Sequence, residues 1–338
     1  MELHFCGYLS REDPLYRYLR EEILPRLGHS GDRPLKVYKL NGSNEVYLYE
    51  DQDTDLRVVG KFFTPKAGES RAPGLVLERE YQNLELLRQS GFSNYPHRVV
   101  RPLGRCPAIN NVLMEEYCPG PTLAHFIKEA ISRGEEAALH EKLTALAGFL
   151  ARLHSLPASG DKVDFGPEQT YFVKVVRQLK DSALLSEGEA AEFLELGEAW
   201  AGRPEMWSGR KVVIHGDATP PNFIFEEGPQ VTALDLERMR QADRAFDLGR
   251  VAGEIKHFFL QYTGNKTGAE PYIGRFLQAY AGAVPGGEGV NAALTGRLPF
   301  YVGLNELRIA RNSWLDPGYR RRLIEEAKLT LKTFLQPY

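Results

Sequence analysis

The residues best suited to chemistry lie in one stretch, residues 212–249, which reads VVIHGDATPPNFIFEEGPQVTALDLERMRQADRAFDLG. Two short apolar runs in this stretch are each followed by a carboxylate, Asp217 and then Asp235, and Asn222 lies between them. Mg²⁺ is a hard cation that binds one or two carboxylates, an amide oxygen and phosphate oxygens. The pattern predicts phosphoryl transfer, with Asp217 accepting the proton of an attacking hydroxyl and with Asn222 and Asp235 as metal ligands. Each of these residues alone is also a common turn former.

The order and spacing of these residues match known motifs. His215-Gly216-Asp217 is followed by Asn222 in the pattern H-G-D-x-x-x-x-N, and the next matches are Asp235-Leu236-Glu237 and Asp247-Leu248. On these motifs the chain resembles the aminoglycoside phosphotransferase/choline kinase family. The resemblance implies an α+β, two-lobed protein-kinase-like fold with a β-rich small lobe and a mostly helical large lobe. It also implies ATP as co-substrate and Mg²⁺ as cofactor.

Composition excludes several other classes of protein. The 338 residues carry a net charge of −3, so a general nucleic-acid or membrane binder is not expected. The three cysteines, Cys6, Cys106 and Cys118, lack metal-type spacing and an even count, which favours a reducing compartment. Neither a secretion signal nor a membrane span is recognisable, so we predict a cytoplasmic protein.

The small lobe is predicted at residues 35–118, after an N-terminal extension at residues 1–34 that contains one short helix. Alternating apolar residues predict strands at 35–40, 45–49 and 56–63. Gly42 and Ser43 lie between the first two strands, where the spacing alone indicates a plain hairpin turn. The resemblance implies that this turn covers the nucleotide phosphates. Lys61, in the third strand, is either a surface lysine or, as the resemblance implies, the residue that contacts the α- and β-phosphates.

A lysine in that role needs a carboxylate to hold it. Residues 78–88 have helical periodicity, and Glu80 shares the apolar side of this helix with Leu84 and Leu87. Glu80 is therefore the predicted partner of Lys61. Glu78, on the polar side, is the second choice, and two exposed helix charges are the alternative.

Two further strands are predicted at residues 99–103 and 111–117, and the second leads into Met114-Glu-Glu-Tyr-Cys-Pro-Gly120. This segment is similar to the family's hinge, which binds adenine through backbone groups. Counting back from Pro119 and Gly120 assigns adenine recognition to Glu116 and Cys118.

The large lobe is predicted at residues 119–338. Helical periodicity is found in a series of segments: 123–132, 139–153, 172–184, 189–200, 248–262, 272–283, 298–312 and 319–334. Residues 285–289 are glycine-rich and indicate a linker. His154, at the end of the second of these helices, is expected to be structural, and His215 and Asp247 are expected to brace the catalytic loop through hydrogen bonds. Glu237 is either a ligand of a second metal ion or a surface acid.

Three functions are compatible with these motifs. The first is a small-molecule kinase that phosphorylates a hydroxyl of a sugar, amino-alcohol, amino acid or aminoglycoside. The second is a protein Ser/Thr kinase, although Asp235 is followed by Leu236-Glu237 where the Asp-Phe-Gly signature has Phe-Gly, and the Ala-Pro-Glu signature is missing. The third is a non-catalytic nucleotide-binding pseudokinase, which is disfavoured because every residue that the chemistry needs is present.

The charge of the acceptor is suggested by the segment after the second carboxylate. Residues 237–257 contain four acids and five bases. A polycationic aminoglycoside should require an acidic pocket. The mixture therefore favours an acceptor that is neutral, zwitterionic or singly charged.

Overall fold

The computed structural model of the chain describes residues 4–31, 33–40, 45–52, 56–65, 72–333 and 335. The chain divides into two compact units. The first unit comprises Met1–Pro121 and Gln230–Arg238, and the second comprises Thr122–Pro229 and Met239–Tyr338. Gln230–Arg238, here called the return segment, brings the chain back to the β-rich first unit. Asp235 and Glu237 therefore belong to the first unit, whereas Asp217 and Asn222 belong to the second.

Strands and helices are both present, as an α+β fold requires. Within the described residues the strands are β1 His4–Tyr8, β2 Leu35–Leu40, β3 Glu45–Asp51, β4 Arg57–Phe62, β5 Ser93–Asn94, β6 His97–Val99, β7 Pro102–Cys106, β8 Val112–Glu116, β9 Val212–Ile214, β10 Phe223–Phe225, β11 Val231–Ala233 and β12 Arg240–Ala242. The α-helices are α1 Pro14–Tyr18, α2 Leu24–Arg26, α3 Pro73–Gln89, α4 Leu123–Arg133, α5 Glu136–Leu153, α6 Gly166–Asp181, α7 Glu187–Ala201, α8 Ala245–Thr263, α9 Glu270–Ala283, α10 Gly287–Thr295, α11 Leu298–Ala310 and α12 Pro317–Thr333.

The first unit is built on a six-stranded antiparallel sheet with the order β1-β2-β3-β4-β8-β7. In the pairing of β4 with β8, Lys61 lies opposite Leu113 and Val59 lies opposite Glu115. Cross-strand partners and residues two apart share one face of a sheet. These four side chains therefore lie on the same face, and their sequence neighbours lie on the other.

That other face is covered by the N-terminal segment. A π-helical turn, Leu19–Ile23, joins α1 to α2, and Leu15, Leu19 and Ile23 form one apolar core with Val58 and Phe62 of β4 and with Val112 and Met114 of β8. The sequence analysis predicted a single short helix in this region and missed β1. Because β1 is mostly exposed, it lacks the apolar alternation by which a strand is recognised.

A smaller sheet in the first unit anchors the return segment. β11 pairs in parallel with β6, and β6 pairs antiparallel with β5. Two further backbone bonds hold the ends of this pairing: the Val231 N–H donates to the Pro96 carbonyl at 2.9 Å, and the Val100 N–H donates to the Ala233 carbonyl at 3.0 Å. The residues that follow β11 are thereby held in the first unit.

The second unit is mostly helical, with β9 and β12 paired antiparallel. α8 and α11 pack closely enough that a side chain at Gly249 would collide with Tyr301. The glycine-rich segment predicted as a linker instead begins α10, whose Leu294 is buried. None of the described helices combines the length and apolar character that a membrane crossing needs.

Candidate active site

In the first unit, the structure brings Lys61 and Glu80 together. The Lys61 Nζ donates to Glu80 Oε2 at 2.6 Å, and both side chains are buried. Glu80 is held there because Leu77, Leu84 and Leu87 bury the same side of α3. Glu78, the second choice, faces away and pairs with Arg105 at 2.6 Å.

Asp235 also binds Lys61. The Lys61 Nζ donates to Asp235 Oδ1 at 2.6 Å, and Glu237 Oε2 lies 4.0 Å from the same nitrogen. Asp235 has a φ of +59°, in the left-handed region, which is strained for a residue other than glycine. The Asn83 amide of α3 donates to the Leu236 carbonyl at 2.7 Å and fixes this turn. A strained backbone held by its surroundings is typical of functional sites.

The charges of this cluster are unequal. Burial by itself lowers the pKa of Lys61, but Asp235, Glu80, Glu237 and Glu115 raise it by more, so the lysine stays charged. Burial raises the pKa of Glu80, and the neighbouring acids raise it further, against the effect of Lys61. One ammonium group is thus surrounded by an excess of carboxylates.

This excess fits a divalent cation. Carboxylate oxygens of Glu80, Asp235 and Glu237 lie within 4.8 Å of one another. They are hard donors of the kind that Mg²⁺ prefers, and a bound cation would relieve their mutual repulsion. The donor set of the first unit is therefore compatible with the predicted metal.

The predicted hinge follows β8 in the first unit. The Glu116 carboxylate accepts from the Arg101 N–H at 2.8 Å and from Arg98 Nη2 at 3.0 Å, so its side chain is occupied by protein partners. The Cys118 thiol is buried, and burial raises its pKa to about 12, so it is a neutral thiol. In the described part of the chain the Cys118 backbone N–H has no hydrogen-bond partner, as a base-binding group requires. Gly42 and Ser43 lie outside the described residues.

In the second unit, the predicted catalytic loop follows β9. Gly216 has a φ of +80°, which turns the chain at the strand end and is strained for other residues. The Asn222 Nδ2 donates to the Asp217 carbonyl at 2.9 Å. This bond occupies the amide nitrogen of Asn222 and leaves its amide oxygen as the ligand atom.

The loop is braced from α8. The Asp247 carboxylate accepts from the His215 N–H at 2.7 Å and from the Gly216 N–H at 2.9 Å. Burial alone would raise the pKa of Asp247, but these bonds and His154 lower it, so Asp247 is ionised. Its partner His154 is buried, which lowers the pKa of the imidazole.

The neutral tautomer of His154 follows from its two partners. A carboxylate can only accept, so His154 Nε2–H donates to Asp247 at 3.2 Å, and Nδ1 accepts from the Tyr280 hydroxyl at 2.8 Å. The expectation that His154, His215 and Asp247 are structural agrees with these bonds.

Sequence reasoning missed one residue of this site. The buried Arg250 guanidinium hydrogen-bonds to the Asp217 carboxylate and lies 4.9 Å from the centre of the Phe246 ring. Arg250 is three residues after Asp247 in α8, so helical periodicity places both on one side of the helix. That spacing was the signal by which Arg250 could have been found. The sequence analysis counted Arg250 only as one of the nine acids and bases in residues 237–257.

The chain is similar to known proteins over most of its length. Residues 35–291 match the family model described as "Phosphotransferase enzyme family". The aminoglycoside 3'-phosphotransferase of Escherichia coli is 26% identical over 234 residues, which cover 66% of this chain and 80% of that protein.

Solved structures of known kinases and phosphotransferases have a similar fold. The ethanolamine kinase of Plasmodium vivax has a TM-score of 0.62 at 14% identity, covering 94% of this chain and 89% of its own. The ADP-bound aminoglycoside phosphotransferase APH(2'')-Ib has a TM-score of 0.59 at 15% identity, covering 96% of this chain and 99% of its own.

These findings define the class of protein. The fold is the α+β, protein-kinase-like fold that the resemblance implied. The chain belongs to the phosphotransferase enzyme family. It is a small-molecule phosphotransferase that uses an alcohol group as acceptor.

Proposed function

We propose that the enzyme transfers the γ-phosphoryl group of ATP to a hydroxyl of a small molecule. The observation that carries this proposal is the position of Lys61, which binds both Glu80 and Asp235 at 2.6 Å. A charged lysine held between a helix carboxylate and a candidate metal ligand is suited to neutralising nucleotide phosphates. The ADP-bound relative APH(2'')-Ib supports an adenine nucleotide as the co-substrate.

The residues of this chain have distinct roles in the proposed reaction. Lys61, oriented by Glu80, binds the α- and β-phosphates. Asp217 accepts the proton of the acceptor hydroxyl as its oxygen forms a bond to the γ-phosphorus. The bond from that phosphorus to the bridging oxygen breaks, and ADP leaves with the electron pair. Arg250 and the braced loop hold Asp217 in one orientation.

Asp235 and Asn222 are proposed to hold Mg²⁺. The support is the hard-oxygen character of both side chains and the repulsion among Glu80, Asp235 and Glu237. When bound, the cation neutralises negative charge that develops on the transferred phosphoryl group. Glu237, two residues after Asp235, is proposed to bind the waters of this metal or a second metal ion. In the hinge, backbone groups of Glu116 and Cys118 are proposed to bind the adenine, and Gly42 and Ser43 are proposed to lie over the phosphates.

The acceptor is proposed to be neutral, zwitterionic or singly charged. In the second unit, the acids near Asp217 already have partners: Asp247 serves the loop N–H groups, Glu254 binds Arg308, and Asp217 itself binds Arg250. A polycation would have to compete with these arginines for the same carboxylates. An aminoglycoside is the second candidate, because the curated relative is an aminoglycoside 3'-phosphotransferase.

A panel assay tests the proposal and separates the two candidates. ADP release with Mg·ATP would be measured against choline, ethanolamine, homoserine, methylthioribose, simple sugars and kanamycin, with casein as a protein acceptor. We expect turnover with at least one small acceptor that carries no more than one net charge. Efficient phosphorylation of kanamycin alone would contradict the charge argument, and phosphorylation of casein alone would contradict a small-molecule acceptor.

A further inference from the structure

Glu115 is a buried acidic residue to which the proposed reaction assigns no role. Its side chain in β8 is only 7% exposed, and its Oε1 atom has no hydrogen-bond partner. Within the described residues no ion pair joins it to a lysine or an arginine. Buried polar atoms are nearly always hydrogen-bonded, so this unpartnered carboxylate oxygen is available to accept a hydrogen bond from a ligand.

The strand register shows what Glu115 faces. Glu115 is cross-strand from Val59, and Lys61 is cross-strand from Leu113, so both charged side chains lie on the face of the sheet opposite the N-terminal segment. Glu115 is two residues from Leu113, which is about 7 Å along the strand. It is also the residue before Glu116, where the hinge begins. Glu115 therefore lies between the lysine proposed to bind phosphates and the backbone proposed to bind the base.

The chemistry of the carboxylate distinguishes purine bases. Adenine carries an amino group at position 6, which donates hydrogen bonds, whereas guanine and hypoxanthine carry an oxygen there, which accepts. Burial raises the pKa of Glu115 to about 7, while Lys61 opposes this rise, so at pH 8 the side chain is mainly ionised. An ionised carboxylate can only accept, so it would pair with the amino group and repel the oxygen.

We propose that Glu115 binds the 6-amino group of the nucleotide base and selects adenine over 6-oxopurine nucleotides. This inference rests on the proposed function, because it requires a purine nucleotide at the hinge of the first unit. It adds a side chain to a recognition site that otherwise consists of backbone groups.

Nucleotide displacement tests the inference without knowledge of the acceptor. Fluorescent mant-ADP bound in the presence of Mg²⁺ at pH 8 would be displaced by ATP, by ITP and by purine riboside triphosphate, which lacks any group at position 6. The variants are Glu115→Met, which removes the acceptor, and Glu115→Gln, which adds a donor. Glu78→Gln is the matched control, because it also neutralises one glutamate of the first unit. Glu78 pairs with Arg105 and faces away from Lys61.

For wild type and the control we expect ATP to bind roughly 10- to 100-fold more tightly than purine riboside triphosphate, the range expected for a hydrogen bond to a charged group. In Glu115→Met this preference should fall by at least about threefold, since the side-chain acceptor is lost and only backbone groups of the hinge remain. In Glu115→Gln the affinity for ITP should rise, because the amide can donate to the 6-oxygen.

Two results would overturn the inference alone. An unchanged preference in both Glu115 variants would show that the carboxylate does not contact the base. An equal loss of affinity for all three nucleotides would assign Glu115 to the Lys61 cluster instead. Wild-type protein that binds none of the nucleotides would overturn the proposed function as well, whereas the first two results leave it standing.

Discussion

Asp217 and Asp235 are each held by a cationic side chain. Asp217 is bound by the Arg250 guanidinium in the second unit, and Asp235 is bound by Lys61 in the first. Each carboxylate thus has one cationic partner that fixes its direction. A fixed orientation suits Asp217 as a proton acceptor, and the ammonium group of Lys61 offsets the repulsion between Asp235 and the neighbouring acids.

The role of Asp235 can be tested by removing its carboxylate. We expect Asp235→Ala to abolish the Mg²⁺-dependent part of ATP binding, because the substitution removes the carboxylate that is proposed to bind the metal. Isothermal titration calorimetry with Mg·ATP would measure the affinity. The same titration with ATP and EDTA is the control and should differ little between variant and wild type. Unchanged Mg·ATP affinity in the variant would locate the metal elsewhere.

Candidate residues can be predicted from a sequence to the extent that the pattern that identifies them is local in the chain. Asp217, Asn222 and Asp235 could be named because their spacing along the chain carries the motif. Glu80 could be named because helical periodicity put it on the apolar side of α3. Arg250 and Glu115 were not named as site residues, since the contact of Arg250 with Asp217 depends on how α8 packs beside the loop, and the position of Glu115 depends on the register of β4 with β8.

At the scale of elements, the N-terminal segment is part of the first unit's core. Leu19 and Ile23 are fully buried against β4 and β8, on the face opposite Lys61. This segment stabilises the two strands that position Lys61 and Glu115. The sequence analysis expected a packing role here from a short apolar periodicity, but it could not identify β1, whose side chains are mostly exposed.

Truncation of one apolar side chain tests this role. We expect Leu19→Ala to lower the free energy of unfolding by roughly 2–5 kcal/mol, the usual cost of removing a buried leucine side chain. Urea unfolding followed by circular dichroism would measure it. Arg17→Ala is the control, because Arg17 is 79% exposed and should change stability by less than about 0.5 kcal/mol. Equal, small effects of both substitutions would show that the segment is dispensable for stability.

At the scale of the whole molecule, acids are buried outside the candidate site as well. Glu306 in α11 is 2% exposed, and it accepts a long hydrogen bond of 3.5 Å from the Thr330 hydroxyl. Burial raises the pKa of Glu306 to about 7, although Lys266 and Lys256 oppose the rise. Neither composition nor motifs indicated this group, because its burial is created by the packing of α11 against α12.

The raised pKa predicts a pH dependence of stability. A carboxyl that titrates near 7 when folded and near 4.5 when unfolded favours the folded state below about pH 4.5, and this contribution is lost as the pH rises to 7. We therefore expect Glu306→Gln to unfold with a free energy up to about 3 kcal/mol higher than wild type at pH 8, with the difference vanishing towards pH 4.5. Urea titrations across this range would measure it. A difference in unfolding free energy that does not vary with pH would contradict the raised pKa of Glu306 in the folded protein.

Single-turnover phosphoryl transfer tests the central claim most directly. Wild type and Asp217→Asn would each be mixed with limiting radiolabelled Mg·ATP and an acceptor that the panel identifies, and ATP affinity would be measured in parallel. We expect ATP affinity to stay within about threefold of wild type and the transfer rate to fall by roughly 10²–10⁴, the usual contribution of a general base. Transfer by Asp217→Asn at a rate near that of wild type would contradict the assignment of Asp217 as the residue that accepts the proton.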